Sequence, residues 1–535
     1  MPGRTLPTFE DVVQVRIYMN DQIVTTVFRG EDQEFLPTPD LDIVTDEAVI
    51  HTVVWKDEKL FLGQKERAAM VSKISQEGRK MFATCVYSGL PMTFLKALFD
   101  DGLNDRVFPF KVGDAPGQKN NQKFKATFIK NQKIFNVAYF KRSSEQSLDG
   151  GIRKPIDYDE SEDEMLGRGA FGDVYKIGIH PSQRSFTSGA DSNDQFAMKV
   201  TPHKGTREVH FHRAMAELSH DHLLKCLASF VFSSKYHMIY EKADCNVEEF
   251  MKRYANPGKL ANFTSADLAQ QLFGLADALC FIHNQGSSES REDMKLLGVP
   301  KKSGRKSGYI HDIKPENLLM FIYNRLGGKT YWFRMSDFSC AKVVDILETV
   351  SGKNRDSWKT SSSSGTPVYR APEAITEGRT SRPYDLFSLG CVFLELLVWF
   401  LDGYGALKTF RDQRECFLSP DTYEDEGFYH KTKEDEQFRL RGAVAEKIED
   451  VKSRCSGTLK DIADVIPKLM QMDPQQRPTA KQLVAALKSI DNGAKPPLET
   501  DRHFDDTLLA PPDNTGSDSD SSFGDLVRVQ HPTEE

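Results

Sequence analysis

The sequence predicts an α+β protein, and three observations carry that prediction. β-type alternation marks the early residues, further β-type runs lie at Val174–Ile179 and Phe196–Val200, and Leu386–Leu401 reads as an apolar buried helix. With 535 residues, 39% of them hydrophobic and 28% charged, the chain can bury a sizeable core and exceeds the usual length of one domain. Asp and Glu number 78 against 70 Lys and Arg, a net charge of −8, so the overall balance does not advertise a nucleic-acid or anionic-membrane partner. The 8 cysteines contain no Cys-x-x-Cys pair, which argues against a disulfide framework or structural zinc. An intracellular, cytoplasmic protein is expected, with the nucleus as the alternative.

The elements follow in order. Val13, Val15, Ile17 and Met19 alternate with polar residues, so residues 9–62 read as strands, with a second hairpin over Val49–Trp55 and Leu60–Leu62. Residues 66–100 read as helical, with Met70, Val71 and Ile74 on one face. Between 119 and 142, Phe124, Phe128, Phe135, Tyr139 and Phe140 interleave with lysines, a pattern shared by single-stranded nucleic-acid binders and by half-buried sheets; the sheet or docking surface is preferred. These stretches make residues 1–142 an α/β module, expected to regulate the rest or recruit its substrate. A polar linker at 143–159 with an acidic run, a main domain at 160–492 with insertions near 286–308 and 402–460, and a disordered tail at 493–535 complete the division.

No apolar leader opens the chain, and Pro2 stands where myristoylation needs glycine, so neither signal is expected. Leu386–Leu401 falls short of the roughly 20 residues that span a bilayer and contains Glu395, which favours a core helix.

The chemistry lies in ordered motifs. Gly167-Arg168-Gly169-Ala170-Phe171-Gly172-Asp173-Val174 fits G-x-G-x-x-G-x-V, whose glycines admit close backbone approach to phosphates. A dinucleotide-binding turn shares that pattern but needs a helix next, and a β-type run follows instead. Phe196-Ala197-Met198-Lys199-Val200 is an apolar strand with one lysine, which calls for an anionic partner. Then come Asp312-Ile313-Lys314-Pro315-Glu316-Asn317, Asp337-Phe338-Ser339, the run Gly365 to Glu373, Asp385-Leu386-Phe387-Ser388-Leu389-Gly390-Cys391, and Asp473 to Pro478.

Together these segments, from about 160 to 492, resemble the eukaryotic protein kinase family of serine/threonine type. The resemblance implies a two-lobed fold, with a small β-rich lobe and a large helical lobe, that transfers the ATP γ-phosphate to protein hydroxyls with Mg²⁺ or Mn²⁺. It implies that Lys199 holds the α/β-phosphates, paired with Glu208 in preference to Glu217, and that Asp337 and Asn317 bind metal. Asp312 would take the acceptor's proton, Lys314 would steady the γ-phosphate, and Thr366 would tie the acceptor segment to both. The glycine run, Val174, Ala197, Tyr240, Glu241 and Ala243 would surround the nucleotide. Glu373 would pair with Arg477, Asp385 would be structural, and Glu316 is a weak pointer to basic substrates. Thr360 and Ser361, Ser362, Ser363 and Ser364 make the activation segment a phosphorylation target. Residues around Glu208–Ala243 and Asn246-Val247-Glu248-Glu249-Phe250 also resemble kinase-domain proteins of filamentous fungi with an uncharacterised N-terminal region.

Two departures stand out. Ile310-His311-Asp312 replaces His-Arg-Asp, leaving a histidine as a weaker, pH-dependent partner for an activation-segment phosphate. Ser339 replaces the glycine of D-F-G and restricts that hinge. They motivate the alternative of a pseudokinase serving as a nucleotide-binding or interaction scaffold. Protein substrates are the expected partners; no nucleic acid or membrane is expected, and oligomeric state is open.

Overall fold

The structure is a computed structural model that describes residues 7–111, 122–169, 172–187, 195–201, 211–212, 219–260, 262–284, 306–325, 328–345, 360–361, 366–376, 379–380, 382–414, 427–432 and 436–496. Its N-terminal unit corrects the expected strands. Asp11 accepts hydrogen bonds from the amides of Val13 and Gln14 and starts a helix over Val12–Gln22. The alternating apolar residues misled because only Val15 and Met19, one helical turn apart, are buried, while Val13 and Ile17 are 54% and 56% exposed. A hairpin follows, Val24–Phe28 with Glu31–Phe35, turned by Arg29 and Gly30 at positive φ. The second expected hairpin is instead a helix, Glu47–Lys56, whose buried residues Val49, Ile50, Val53 and Val54 have helical spacing.

Helices Gln64–Glu77, Arg79–Tyr87 and Met92–Asp100 fill the region read as helical, with Met70, Val71 and Ile74 buried. The aromatic and lysine-rich stretch forms a helix, Gln122–Asn131, and a short 3-10 turn, Gln132–Phe135, and only beyond them do Val137 and Phe140 bridge to Arg153 and Arg184. Phe128 and Phe135 point into the core of this unit, and Lys123, Lys130 and Lys133 are exposed. The described part of this unit thus mixes helices with one hairpin and is more helical than the expected strand-led module.

The 143–159 stretch is not a free linker. Ser144–Ser147 pairs in parallel with Cys226–Phe232, and Ile156–Asp157 pairs antiparallel with Gly172–Ile179. These additions border both edges of one sheet, whose order is Ser144–Ser147, Cys226–Phe232, Lys235–Glu241, Gln195–Thr201, Gly172–Ile179, Ile156–Asp157, with Met165–Gly169 also on Gly172–Ile179. Its polar side chains signalled a linker, but the pairing uses backbone groups, and Ile156 and Tyr158 are buried. The N-terminal hairpin is bonded to the same edge: the Arg29 amide donates to the Tyr158 carbonyl at 2.7 Å and the Thr26 hydroxyl to the Lys154 carbonyl at 2.9 Å.

Below the sheet lies a helical lobe. Thr264 caps the helix Ser265–His283 with a reciprocal bond to Asp267, and the hairpin Leu318–Arg325 with Gly328–Met335 packs beside it. Helix Arg382–Arg414 is buried without interruption from Tyr384 to Trp399. It is long and apolar enough to cross a bilayer, yet 83% of its apolar window is buried inside the protein, as expected of a core helix. Gly403 breaks it at φ 84°, where a Cβ would stand 2.5 Å from the Ala255 carbonyl oxygen. Gly442–Arg454, Thr458–Leu469 and Ala480–Ala486 complete the lobe. Of the expected insertions, 402–460 contributes the end of the long helix, the hairpin Tyr429–Lys431 with Phe438–Leu440, and the helix Gly442–Arg454. Most of 286–308, and the tail from 497 on, lie outside the described residues.

Candidate active site

The two lobes enclose a cleft of about 600 Å³. Its roof is the glycine hairpin, Met165–Gly169 against Gly172–Ile179. Gly172 has φ +144°, and a Cβ there would come within 2.3 Å of the Val200 carbonyl oxygen, so only glycine lets the hairpin close on the neighbouring strand. Val174 and Ala197 line the roof. Ala170 and Phe171 lie outside the described residues.

Lys199 stands opposite Val174 in the strand register and is 8% exposed. Its Nζ lies 2.8 Å from Asp337 Oδ1, which supplies the anionic partner that a buried lysine needs. Burial pushes the Asp337 carboxyl up, but the charge and hydrogen bond of Lys199 outweigh it and hold the group below its ordinary value. Asp337 sits in the left-handed region at φ 53°, and the Ser339 amide donates to its Oδ1 at 3.4 Å. Phe338, 1% exposed, stacks on Phe211 at 4.4 Å. Glu208 and Glu217 lie outside the described residues.

On the floor, Asp312 collects three side chains. Its Oδ1 accepts from the Thr366 amide and hydroxyl at 2.8 and 2.9 Å, and its Oδ2 accepts from Asn317 Nδ2 at 2.8 Å. Lys314 Nζ donates to the Thr366 hydroxyl at 2.7 Å and lies 3.5 Å from Asp312 Oδ2. The loop before Asp312 hangs on Asp385, whose carboxylate accepts from the amides of Ile310 and His311 at 2.9 and 2.8 Å and meets His283 Nε2 at 2.9 Å. Asp385 is fully buried; burial raises its pKa, and these contacts reverse the shift.

The His311 ring is 2% exposed, stacked on Tyr309 at 4.3 Å and tilted against Tyr384 at 5.3 Å. Ser362, Ser363 and Ser364 are outside the described residues, and Thr360–Ser361 is described as a strand paired with Arg379–Thr380. Glu373 and Arg477 meet through two bonds of 2.7 and 2.8 Å.

Tyr240, Glu241 and Ala243 form the back of the cleft, and Asn317, Leu319 and Glu316 its lower wall. Sequence reasoning missed Asp244, Asn246, Glu249, Arg253 and Ser336, which also line it. The Asn246-x-x-Glu249 capping box was a legible signal for a helix start at this wall. Among the described residues no three His, Cys, Asp or Glu side chains gather to hold a metal. Asn317 and Asp337, which both line the cleft, could hold a divalent cation that takes one or two protein oxygens and completes its shell with phosphates and water.

The comparisons with known proteins agree with this geometry. The protein kinase domain family matches residues 305–487. Serine/threonine-protein kinase TIO of Arabidopsis thaliana is 27% identical over 44% of this chain and 14% of its own length. Dual specificity tyrosine-phosphorylation-regulated kinase 3 of Homo sapiens is 25% identical over 44% of this chain and 32% of its own. Serine/threonine-protein kinase GG21441 of Drosophila erecta is 23% identical over 61% and 34%. The chain spans about half or less of the length of the curated relatives it matches. Sheet-rich roof, helical floor and the Lys199–Asp337 pair agree with these matches: the chain carries a match to the protein kinase domain over residues 305–487 and is similar to serine/threonine and dual-specificity protein kinases.

Proposed function

We propose that the protein is a serine/threonine kinase that uses MgATP. The observation that carries this reading is the convergence of Thr366, Lys314 and Asn317 on Asp312 beside the Lys199–Asp337 pair. Lys199 orients the α/β-phosphates from the roof, and Asn317 and Asp337 would hold the metal, which supplies charge neutralisation to the phosphates when bound. Asp312 orients the acceptor hydroxyl and receives its proton. Lys314, within reach of both Asp312 and Thr366, steadies the transferred group and favours a serine or threonine acceptor over tyrosine.

Incubation of the full chain with γ-labelled ATP, Mg²⁺ and mixed protein acceptors, followed by phosphoamino-acid analysis, tests this. Labelled phosphoserine and phosphothreonine are expected. Label confined to phosphotyrosine would overturn the acceptor assignment, and ATP binding without any transfer would favour the pseudokinase scaffold.

Residues 1–142 fit a regulatory or substrate-recruiting role because their hairpin is bonded to the edge of the cleft-bearing sheet. Phe28 packs there on Tyr158 and Phe232, both at 5.3 Å. Phe28→Ser in the full chain should change kcat/KM toward protein acceptors; an unchanged value with a loosened N-terminal unit would count against that role.

A further inference from the structure

Beneath the acceptor segment lies a charged cluster that the steps above do not use. Glu395, fully buried in the long helix, accepts from the Tyr369 hydroxyl at 2.9 Å, from Arg411 NH2 at 2.6 Å and from Arg414 NH2 at 2.8 Å. Tyr369 follows Thr366 in the acceptor segment, and Ser388 Oγ donates to its carbonyl at 2.8 Å. Arg411 also grips Glu248 with two bonds, NH1 to Oε1 at 2.9 Å and NH2 to Oε2 at 2.8 Å. Glu248 lies in the first turn of Val247–Arg253, the helix that packs against Pro315–Asn317, and it further accepts from the Tyr404 hydroxyl at 2.9 Å.

The order of exposure decides what each group can do. The Arg411 side chain is 23% exposed, Glu248 8% and Glu395 0%, so Arg411 covers both carboxylates from the solvent side. Glu316 of the Asp312–Asn317 loop is close enough for its charge to feel Glu248, Lys314 and Arg411. Carboxylates placed this near an acceptor site would attract a guanidinium from an incoming protein, and a bidentate match would fix it strongly. The chain supplies that guanidinium itself. Arg411 and Arg414 balance Glu395 and Glu248, with the more exposed Lys252 Nζ 3.4 Å from Glu248 Oε1, and Arg411 alone among the described residues touches both carboxylates, which leaves no open acidic pair to be shared with a substrate.

We propose that Arg411 is a specificity-determining residue: it occupies the Glu248–Glu395 acidic pair and closes it to arginine on the protein acceptor. The substrate class is then a serine- or threonine-containing segment whose recognition gains nothing from a neighbouring arginine. This assignment rests on the protein kinase reading above and sharpens it, since Glu316 alone had pointed to basic substrates.

The test is a serine peptide set, otherwise neutral, in which one arginine is scanned along both sides of the acceptor, assayed with the full chain. For the wild type, the kcat/KM ratio of arginine to alanine peptides should stay within about twofold at every position, and Arg411→Ala should raise it about tenfold at one or more, the factor carried by ~1.4 kcal/mol. Arg411→Lys, which keeps a cation over the carboxylates, should stay near the wild-type ratio. An arginine preference of about tenfold in the wild type would overturn the proposal without any variant. So would a folded Arg411→Ala protein, judged by its thermal transition, with no gain. Should Arg411→Ala not fold, Arg411→Gln retains donors without charge and must show the same gain. Wild-type protein that binds ATP but phosphorylates no peptide and no mixed protein acceptor refutes the kinase reading itself, which separates that failure from a wrong assignment of Arg411.

Discussion

Thr366 reaches Asp312 twice across 54 residues of chain, its amide and its hydroxyl both donating to Oδ1, at 2.8 and 2.9 Å. The acceptor segment is thereby hooked onto the residue proposed to receive the acceptor's proton. Thr366→Val keeps the amide bond and removes the hydroxyl. A hydrogen bond to a charged group is worth about 1.5–3 kcal/mol, so kcat should fall roughly 10- to 100-fold with the KM for ATP little changed. Thr366→Ser should restore most of the rate. Steady-state kinetics with one protein acceptor checks both.

Gly274 faces His222, and a Cβ on it would lie 2.0 Å from Nε2. The imidazole cannot yield easily, because Nδ1 meets the Phe333 carbonyl at 2.8 Å and the ring stacks on Trp332 at 4.4 Å. Gly274→Ala should gain about 1 kcal/mol of helix propensity and lose about 1–3 kcal/mol to overpacking, a net destabilisation. Urea denaturation should show a lower midpoint, partly recovered in Gly274→Ala/His222→Ala.

Burial also sets a pH dependence. It lowers the pKa of His222 from 6.5 to about 3 and that of His237 from 6.5 to about 4. Both rings stay neutral in the folded chain while the unfolded chain takes up protons as pH falls through 6.5. The unfolded state then binds more protons, so stability declines on acidification from about pH 6.5 toward 4, by at most about 1.4 kcal/mol per pH unit for each histidine. His237→Phe, which keeps a ring to stack on Phe230, should flatten that slope in denaturation series at several pH values. An unchanged slope would contradict the assignment.

Glu373 and Arg477 form a bidentate pair whose side chains are 6% and 0% exposed. Removing one partner strands the other charge, at a cost of about 3–5 kcal/mol. Glu373→Gln should therefore lower the thermal midpoint more than Glu373→Gln/Arg477→Met does, and a double-mutant cycle measures the difference.

Much of the cleft was legible because phosphoryl-transfer chemistry needs particular residue types at fixed spacing. Lys199, Asp312, Asn317 and Asp337 could be picked out from three short strings, and the structure lines one cavity with Lys199, Asn317 and Asp337 while Asp312 is bonded to Asn317. What escaped was whatever depended on partners distant in sequence. Val13 and Ile17 look like strand residues until Asp11 is seen capping a helix that buries only Val15 and Met19. Ser144–Ser147 has a linker's composition, yet its backbone extends a sheet. The Arg411 clamp was invisible because Glu248 and Arg411 are 163 residues apart and no motif links them.

The central claim is that Asp312 receives the acceptor's proton during transfer of the γ-phosphoryl group. Asp312→Asn tests it most directly, since the amide is nearly isosteric and still accepts a hydrogen bond from Thr366. In parallel assays of nucleotide affinity and of γ-phosphate transfer to serine and threonine acceptors, the variant should bind ATP as the wild type does and lose transfer by about 10²- to 10⁴-fold. Transfer by Asp312→Asn at the wild-type rate would contradict the account.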